Sequence, residues 1–245
     1  MPLMNKTQRK IFFKALDKAY PNPRCELYWT NPYSLLVAII LSAQSTDKGV
    51  NKVTEKLFPV ADTPQKILEL GEENLKQYTK SINYFNNKTK SIVQLAHILL
   101  NQYNGEVPTD FDTLITLPGI GRKTANVFLN ILLHAPSIGV DTHVFRLCHR
   151  LNICTGKTPQ EIEHKLNKLV PNSYKADVGL ALVLHGRYTC TARKPYCHKC
   201  PIYDVCTSME KNNALSNIEK PANKTVSKKN KQVKTTTAIK TKKGE

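Results

Sequence analysis

Apolar residues along this chain recur at three- and four-residue spacing, and no stretch alternates as a half-buried strand does. Leu35 and Ile39, then Ile92, Leu95 and Leu99, then Val127 and Ile131 each fall on one side of a 3.6-residue period. The punctuation agrees with that period. Asn31-Pro32, Thr63-Pro64 and Thr158-Pro159 each set a capping side chain before a proline suited to the first helical position. Thr158 with Glu161 also has the capping-box spacing. Asn104-Gly105 follows a helical pattern and reads as a C-cap, not as a hairpin turn. Together these predict helices at 5–19, 32–43, 46–58, 64–70, 72–80, 87–103, 110–117, 121–134, 141–151, 159–170 and 173–187. The fold class is all-α.

Charge changes the picture at one end. Residues 211–245 hold ten Lys and two Glu, a net +8 of the chain's +17, with few large apolar side chains. Such a segment buries too little surface to offset its ordering entropy, so a disordered Lys-rich tail is expected there. The other +9 belongs to residues 1–210, which are therefore basic without the tail. Clustered positive charge favours the phosphate backbone of nucleic acid. A membrane is not expected as a partner, because the longest apolar run, Leu35 to Leu41, is far too short to span one. The opening residues carry no signal-peptide pattern, which predicts a cytoplasmic, nucleoid-associated protein.

Seven cysteines, an odd number, do not suggest a disulfide framework. Cys25, Cys148 and Cys154 are scattered and read as small buried apolar residues. Cys190-x6-Cys197-x2-Cys200-x5-Cys206 supplies four thiolates within seventeen positions. Spacing alone admits a structural zinc or an iron–sulfur cluster, since thiolates hold both. Only the central pair is close, and the longer outer loops favour something larger than one ion. His198, between ligands, reads as a loop residue. Arg193 and Lys194 lie in the first loop, where metal anchoring would aim them at phosphates in a fixed direction.

The most informative stretch is Leu117-Pro118-Gly119-Ile120-Gly121-Arg122-Lys123-Thr124-Ala125. Two glycines one residue apart, before a good helix former, describe a tight turn that opens a helix. Glycine permits φ > 0 and lets a ligand approach the main chain. The helix start offers unpaired N–H groups to a phosphate. Lys123 is then held beside whatever the turn binds, either as a plain phosphate ligand or as a nucleophile. Asp141, by itself, reads as the cap of the helix that Thr142 begins.

Taken together these motifs resemble the endonuclease III family of DNA glycosylases. The Leu117–Ala125 stretch is similar to that family's helix–hairpin–helix. Gly139-Val140-Asp141-Thr142-His143-Val144-Phe145-Arg146 resembles its Gly/Pro-rich loop and aspartate, and the cysteine spacing its [4Fe–4S] signature. Leu41-Ser42-Ala43-Gln44-Ser45-Thr46-Asp47 and Leu184-His185-Gly186-Arg187 match as well. The resemblance implies two helical lobes, one over 25–135 containing the hairpin and one joining 1–24 to 136–210 around the cluster. It implies a monomer that binds double-stranded DNA carrying a damaged pyrimidine or an abasic site. Lys123 would be the nucleophile and Asp141 the essential carboxylate. Gly119, Gly121, Arg122, Arg193 and Lys194 would contact the backbone, and Gln44 and Tyr84 would fill the gap left by a flipped nucleotide. One departure stands out. Asn83 occupies a position where glycine is expected, and asparagine is the next best residue for a positive φ there.

The implied reaction is base removal by the Lys123 amine, followed by β-elimination 3′ to the abasic site through a Schiff base. A monofunctional adenine DNA glycosylase of the same superfamily is the alternative enzyme. That branch usually lacks the lysine and carries a further C-terminal recognition domain. A non-enzymatic DNA-binding module is the alternative of another kind, and a nicking assay separates it.

Overall fold

The computed structural model describes residues 2–209 and 211. The expected disordered tail, Lys211 apart, lies outside the described residues. Those residues form eleven α-helices and no strand. None of the helices is long and apolar enough to cross a membrane.

The helices gather around two separate apolar cores. The first is built on α2 (Pro32–Ser42), which is buried over its whole length from Tyr33 to Leu41. Asn31 caps it by a reciprocal box with Ser34, and Pro32 takes the first turn, where a missing N–H costs nothing. Around it pack α3 (Asp47–Leu57), α6 (Phe85–Tyr103) and α8 (Arg122–Leu133), while α4 (Pro64–Leu70) and α5 (Glu72–Thr79) close the far side of α6. Leu35, Leu36, Leu41, Ile92, Leu95 and Phe128 are fully inaccessible within this core. The second core joins α1 (Lys6–Ala19) to α9 (Thr142–Arg150), α10 (Pro159–Leu169) and α11 (Lys175–Tyr188) through Phe12, Phe13, Leu147 and Leu182.

Three local expectations need correction. The helix expected at 110–117 ends at Leu114, forming α7 (Phe111–Leu114). Pro118 disfavours the helical region at Leu117, so the chain goes on in tight turns: Leu117 N–H donates to Leu114 O and Ile120 N–H to Leu117 O. The helix expected from 87 begins at Phe85, directly after Tyr84. Thr158 does cap α10, but the Glu161 carboxylate accepts from Lys157 N–H, so the reciprocal half of the box is displaced by one residue. A complete box forms instead at Asn5 and Gln8, at the start of α1.

Candidate active site and nucleic-acid interface

The turn before α8 is held from below. Leu117 and Ile120 are each 5% exposed and anchor it on the first core. Gly119 adopts φ 76, and a Cβ there would sit 2.9 Å from Ser91 Cβ, so glycine is required on both counts. Gly121 caps α8 with φ −98; the left-handed freedom expected of both glycines is used only by Gly119. A Cβ on Gly121 would meet nothing within 4 Å, and α8 receives no side-chain cap. Its first N–H groups are thus left to an outside acceptor, in the geometry that binds phosphate. Arg122 is exposed: it donates to Glu163 Oε1 at 2.8 Å and lies over the Phe111 ring at 4.8 Å.

Lys123, one residue further, is exposed on the wall of an open cleft of about 1020 Å³. Asp141 lines the same cleft from the other core. Gly139 makes this meeting possible. A Cβ at that position would collide with Val127 and stand 3.3 Å from Lys123 O, so only glycine lets the 137–141 segment run directly against α8. Ser137 reinforces the contact by donating to Asn126 O at 2.8 Å. Asp141 also caps α9, accepting from Val144 N–H through Oδ1 at 2.8 Å. The cap, expected from the sequence, fixes the carboxylate's direction.

Gln44 and Asn83 sit at the rim of the cleft. Gln44 follows α2 with φ 54, and Tyr84 precedes α6 with φ 58 and 65% of its surface exposed. A bulky residue in the left-handed region carries strain that persists only where its surroundings impose it. The positive φ expected at Asn83 belongs instead to Tyr84, and Asn83 uses its side chain to donate to Gln44 O at 2.6 Å. Between the two cores, Arg187 of α11 donates to Asp47 at 2.6 Å and to Glu26, whose carboxylate also accepts from Tyr188 OH. Burial works against this guanidinium, but the hydrogen bonds and charge of Asp47 and Glu26 hold its proton more tightly than usual. Arg187 gave no sign of that role in the sequence, because its acidic partners lie 140 and 161 positions away.

Cys190, Cys197, Cys200 and Cys206 line one small cavity beside Tyr203. Burial pushes the Cys200 thiol up to about 11, and the neighbouring cysteines add to the effect. Burial raises Cys206 as well. Four thiols gathered around one cavity, with the ionised form of Cys200 and Cys206 disfavoured until a cation relieves it, fit a centre held by thiolates. His198 stands exposed in a short 3-10 turn, Cys197–Lys199. Arg193 and Lys194 are exposed in the first loop, which is tied by Thr191 Oγ1 donating to Lys194 O at 2.6 Å. Neither touches the Lys123 cleft's lining, so they would meet a duplex separately from it.

Comparison with known proteins adds to this geometry. Residues 37–172 match the model of the HhH-GPD superfamily of base excision DNA repair proteins, and residues 190–206 match the iron–sulfur binding domain of endonuclease III. The chain is 53% identical to endonuclease III of Haemophilus influenzae and 50% identical to that of Escherichia coli K12, in both cases over 85% of its own length and 99% of the relative's. A solved structure of a trapped endonuclease III–DNA covalent intermediate superposes with a TM-score of 0.80 at 39% identity, covering 87% of this chain and all of that one.

Proposed function

The chain belongs to the endonuclease III family of base excision repair DNA glycosylase/AP lyases, and from that premise we propose that Lys123 and Asp141 perform its chemistry on damaged pyrimidines and abasic sites in duplex DNA. One observation carries the reading: Lys123 and Asp141, from different cores, line a single cleft directly beside the uncapped start of α8. That helix start and the open face at Gly121 bind a phosphate of the damaged strand. The damaged nucleotide leaves the stack and enters the cleft, because its C1′ is out of reach inside the duplex. Gln44 and Tyr84 occupy the space it vacates.

The Lys123 amine attacks C1′, and the C1′–N bond to the base breaks as the base leaves with its electron pair. The sugar ring opens to an imine on Lys123. The imine acidifies the C2′ proton, and its removal expels the 3′ phosphate by β-elimination. Asp141, its direction set by the α9 cap, stabilises positive charge as it builds on the sugar. The thiolates of Cys190, Cys197, Cys200 and Cys206 would hold a [4Fe–4S] cluster. Held by those four side chains, it would brace the loop that presents Arg193 and Lys194 to the backbone. We assign residues 25–135 to one lobe and residues 1–24 with 136–210 to the other, as the two apolar cores suggest. On this reading the protein works as a monomer on the chromosome in the cytoplasm.

The test is borohydride trapping on a labelled duplex with one thymine glycol. The native protein should form a covalent adduct and nick the strand, whereas Lys123→Gln should lose both by several orders of magnitude and still bind the duplex. Adduct formation by Lys123→Gln would remove Lys123 as the nucleophile. Base release by the native protein without an adduct would instead support a monofunctional glycosylase.

A further inference from the structure

Behind the cleft lining at Ala43 lies a buried cation that the reaction above does not use. Lys88, in the first turns of α6, is 8% exposed. Its ammonium donates to Leu41 O at 2.9 Å and to Ala43 O at 2.5 Å. Both carbonyls lie at the end of α2, which has no basic residue in its own last turn. A helix end presents unpaired carbonyls and partial negative charge, so Lys88 completes from outside a cap that α2 lacks. Burial disfavours the charged amine, and the two carbonyls are what make the position tolerable. Asn83 then takes the next carbonyl, Gln44 O, at 2.6 Å.

The consequence is a two-stranded lock. The main chain over Leu41, Ala43 and Gln44 is gripped by side chains from residues 83 and 88, which flank Tyr84. Gln44 and Tyr84 both adopt the left-handed region, at φ 54 and 58. Neither residue type favours that conformation, so each turn needs imposed contacts to hold it. Lys88 and Asn83 supply those contacts between the turns themselves, and any shift of one turn must carry the other with it.

We propose that Lys88 and Asn83 are positioning residues that lock the Gln44 and Tyr84 turns into one preorganised wedge, so that both side chains enter the duplex together. This rests on the reading of Gln44 and Tyr84 as the residues that fill the vacated space. Asn83 adds a donor that the glycine expected at that position would lack.

The experiment uses the full-length, iron-loaded protein and compares two substrates under single-turnover conditions. One is a thymine glycol duplex, whose pair must be held open; the other is an abasic site in single-stranded DNA, which has nothing to hold open. Lys88→Met keeps the aliphatic stem and should slow duplex excision roughly ten- to a hundredfold, the scale of a small misplacement of a positioning group. Cleavage of the single-stranded abasic site should stay within about twofold of the native rate. Asn83→Ala, at an exposed position, should lose less, about three- to tenfold, and serves if Lys88→Met fails to fold. In the double variant Gln44→Ala with Lys88→Met, the duplex rate should fall by clearly less than the product of the two single losses, because Lys88 acts in part through Gln44. A slow Gln44→Ala beside Lys88→Met and Asn83→Ala at the native rate would overturn the lock while leaving the wedge. Multiplying losses in the double variant would do the same. An unaffected Gln44→Ala would take down the wedge reading first, and the lock with it.

Discussion

Helix α2 and the cysteine loop hold their shapes by opposite means. In α2, every residue from Tyr33 to Leu41 is buried, and none is more than 4% exposed. In the loop, Cys190, Ile202 and Ser208 are buried, and half of the residues between them are exposed. Its shape comes from directed polar contacts. Arg146 donates to Gly186 O and Cys190 O, and Arg150 to Thr191 O and Ala192 O. Lys211 closes the far end by donating to Tyr203 O at 2.7 Å. Burial of apolar area stabilises the first region without regard to direction. The second needs specific groups in specific places, and above all an occupant among its four thiols. The helices of the first core should therefore tolerate loss of iron, and the loop should not.

The sharpest test of that contrast is Cys200→Ser. Structural zinc sites held by thiolates set the scale at roughly 10–16 kcal/mol of binding free energy, so losing one ligand should empty the site. Limited trypsin digestion should then cut after the exposed Arg193 or Lys199, while residues 25–135 survive as a resistant fragment. Equal resistance of the iron-free loop would dissolve the comparison. A smaller effect comes from the opposite side. Leu36→Ala leaves a hole at a fully buried position and should cost about 2–5 kcal/mol in urea unfolding. Iron content should not change, and parallel loss of iron would mean that the two regions share one cooperative unit. The smallest effect should be Arg187→Met, which removes the bridge to Asp47 and Glu26. Its side chain is 26% exposed, so the loss should be about 1–2 kcal/mol, well below that of a fully buried pair. A double-mutant cycle with Asp47→Asn reads the coupling directly. Full additivity would show that the bridge does not tie the cores together.

Much of this was legible because it is local. The caps at Asn31, Thr63 and Thr158 form as their Pro-flanked patterns predict, and Asn104-Gly105 ends α6 in left-handed backbone. Local reading failed where two short-range signals competed. The expected helix ran through Leu117, but α7 ends at Leu114, ahead of Pro118. Asparagine's tolerance of positive φ pointed to Asn83, but the strain fell on Tyr84, because Asn83 is drawn to Gln44 O.

What the sequence determined by itself, then, is everything set by neighbours a few positions apart: the helices, the glycine turn before Lys123, and four cysteines spaced to share a centre. What only the tertiary structure decided is which distant groups meet. Asp141 shares a cleft with Lys123 because Gly139 lets two segments touch. Lys88 caps a helix 47 positions away, and Arg187 joins cores 140 positions apart. The physical reason is the range of the forces. Propensity and capping act within a turn or two of chain, whereas a buried ammonium or a strained φ is tolerable only after packing has brought its partner to it.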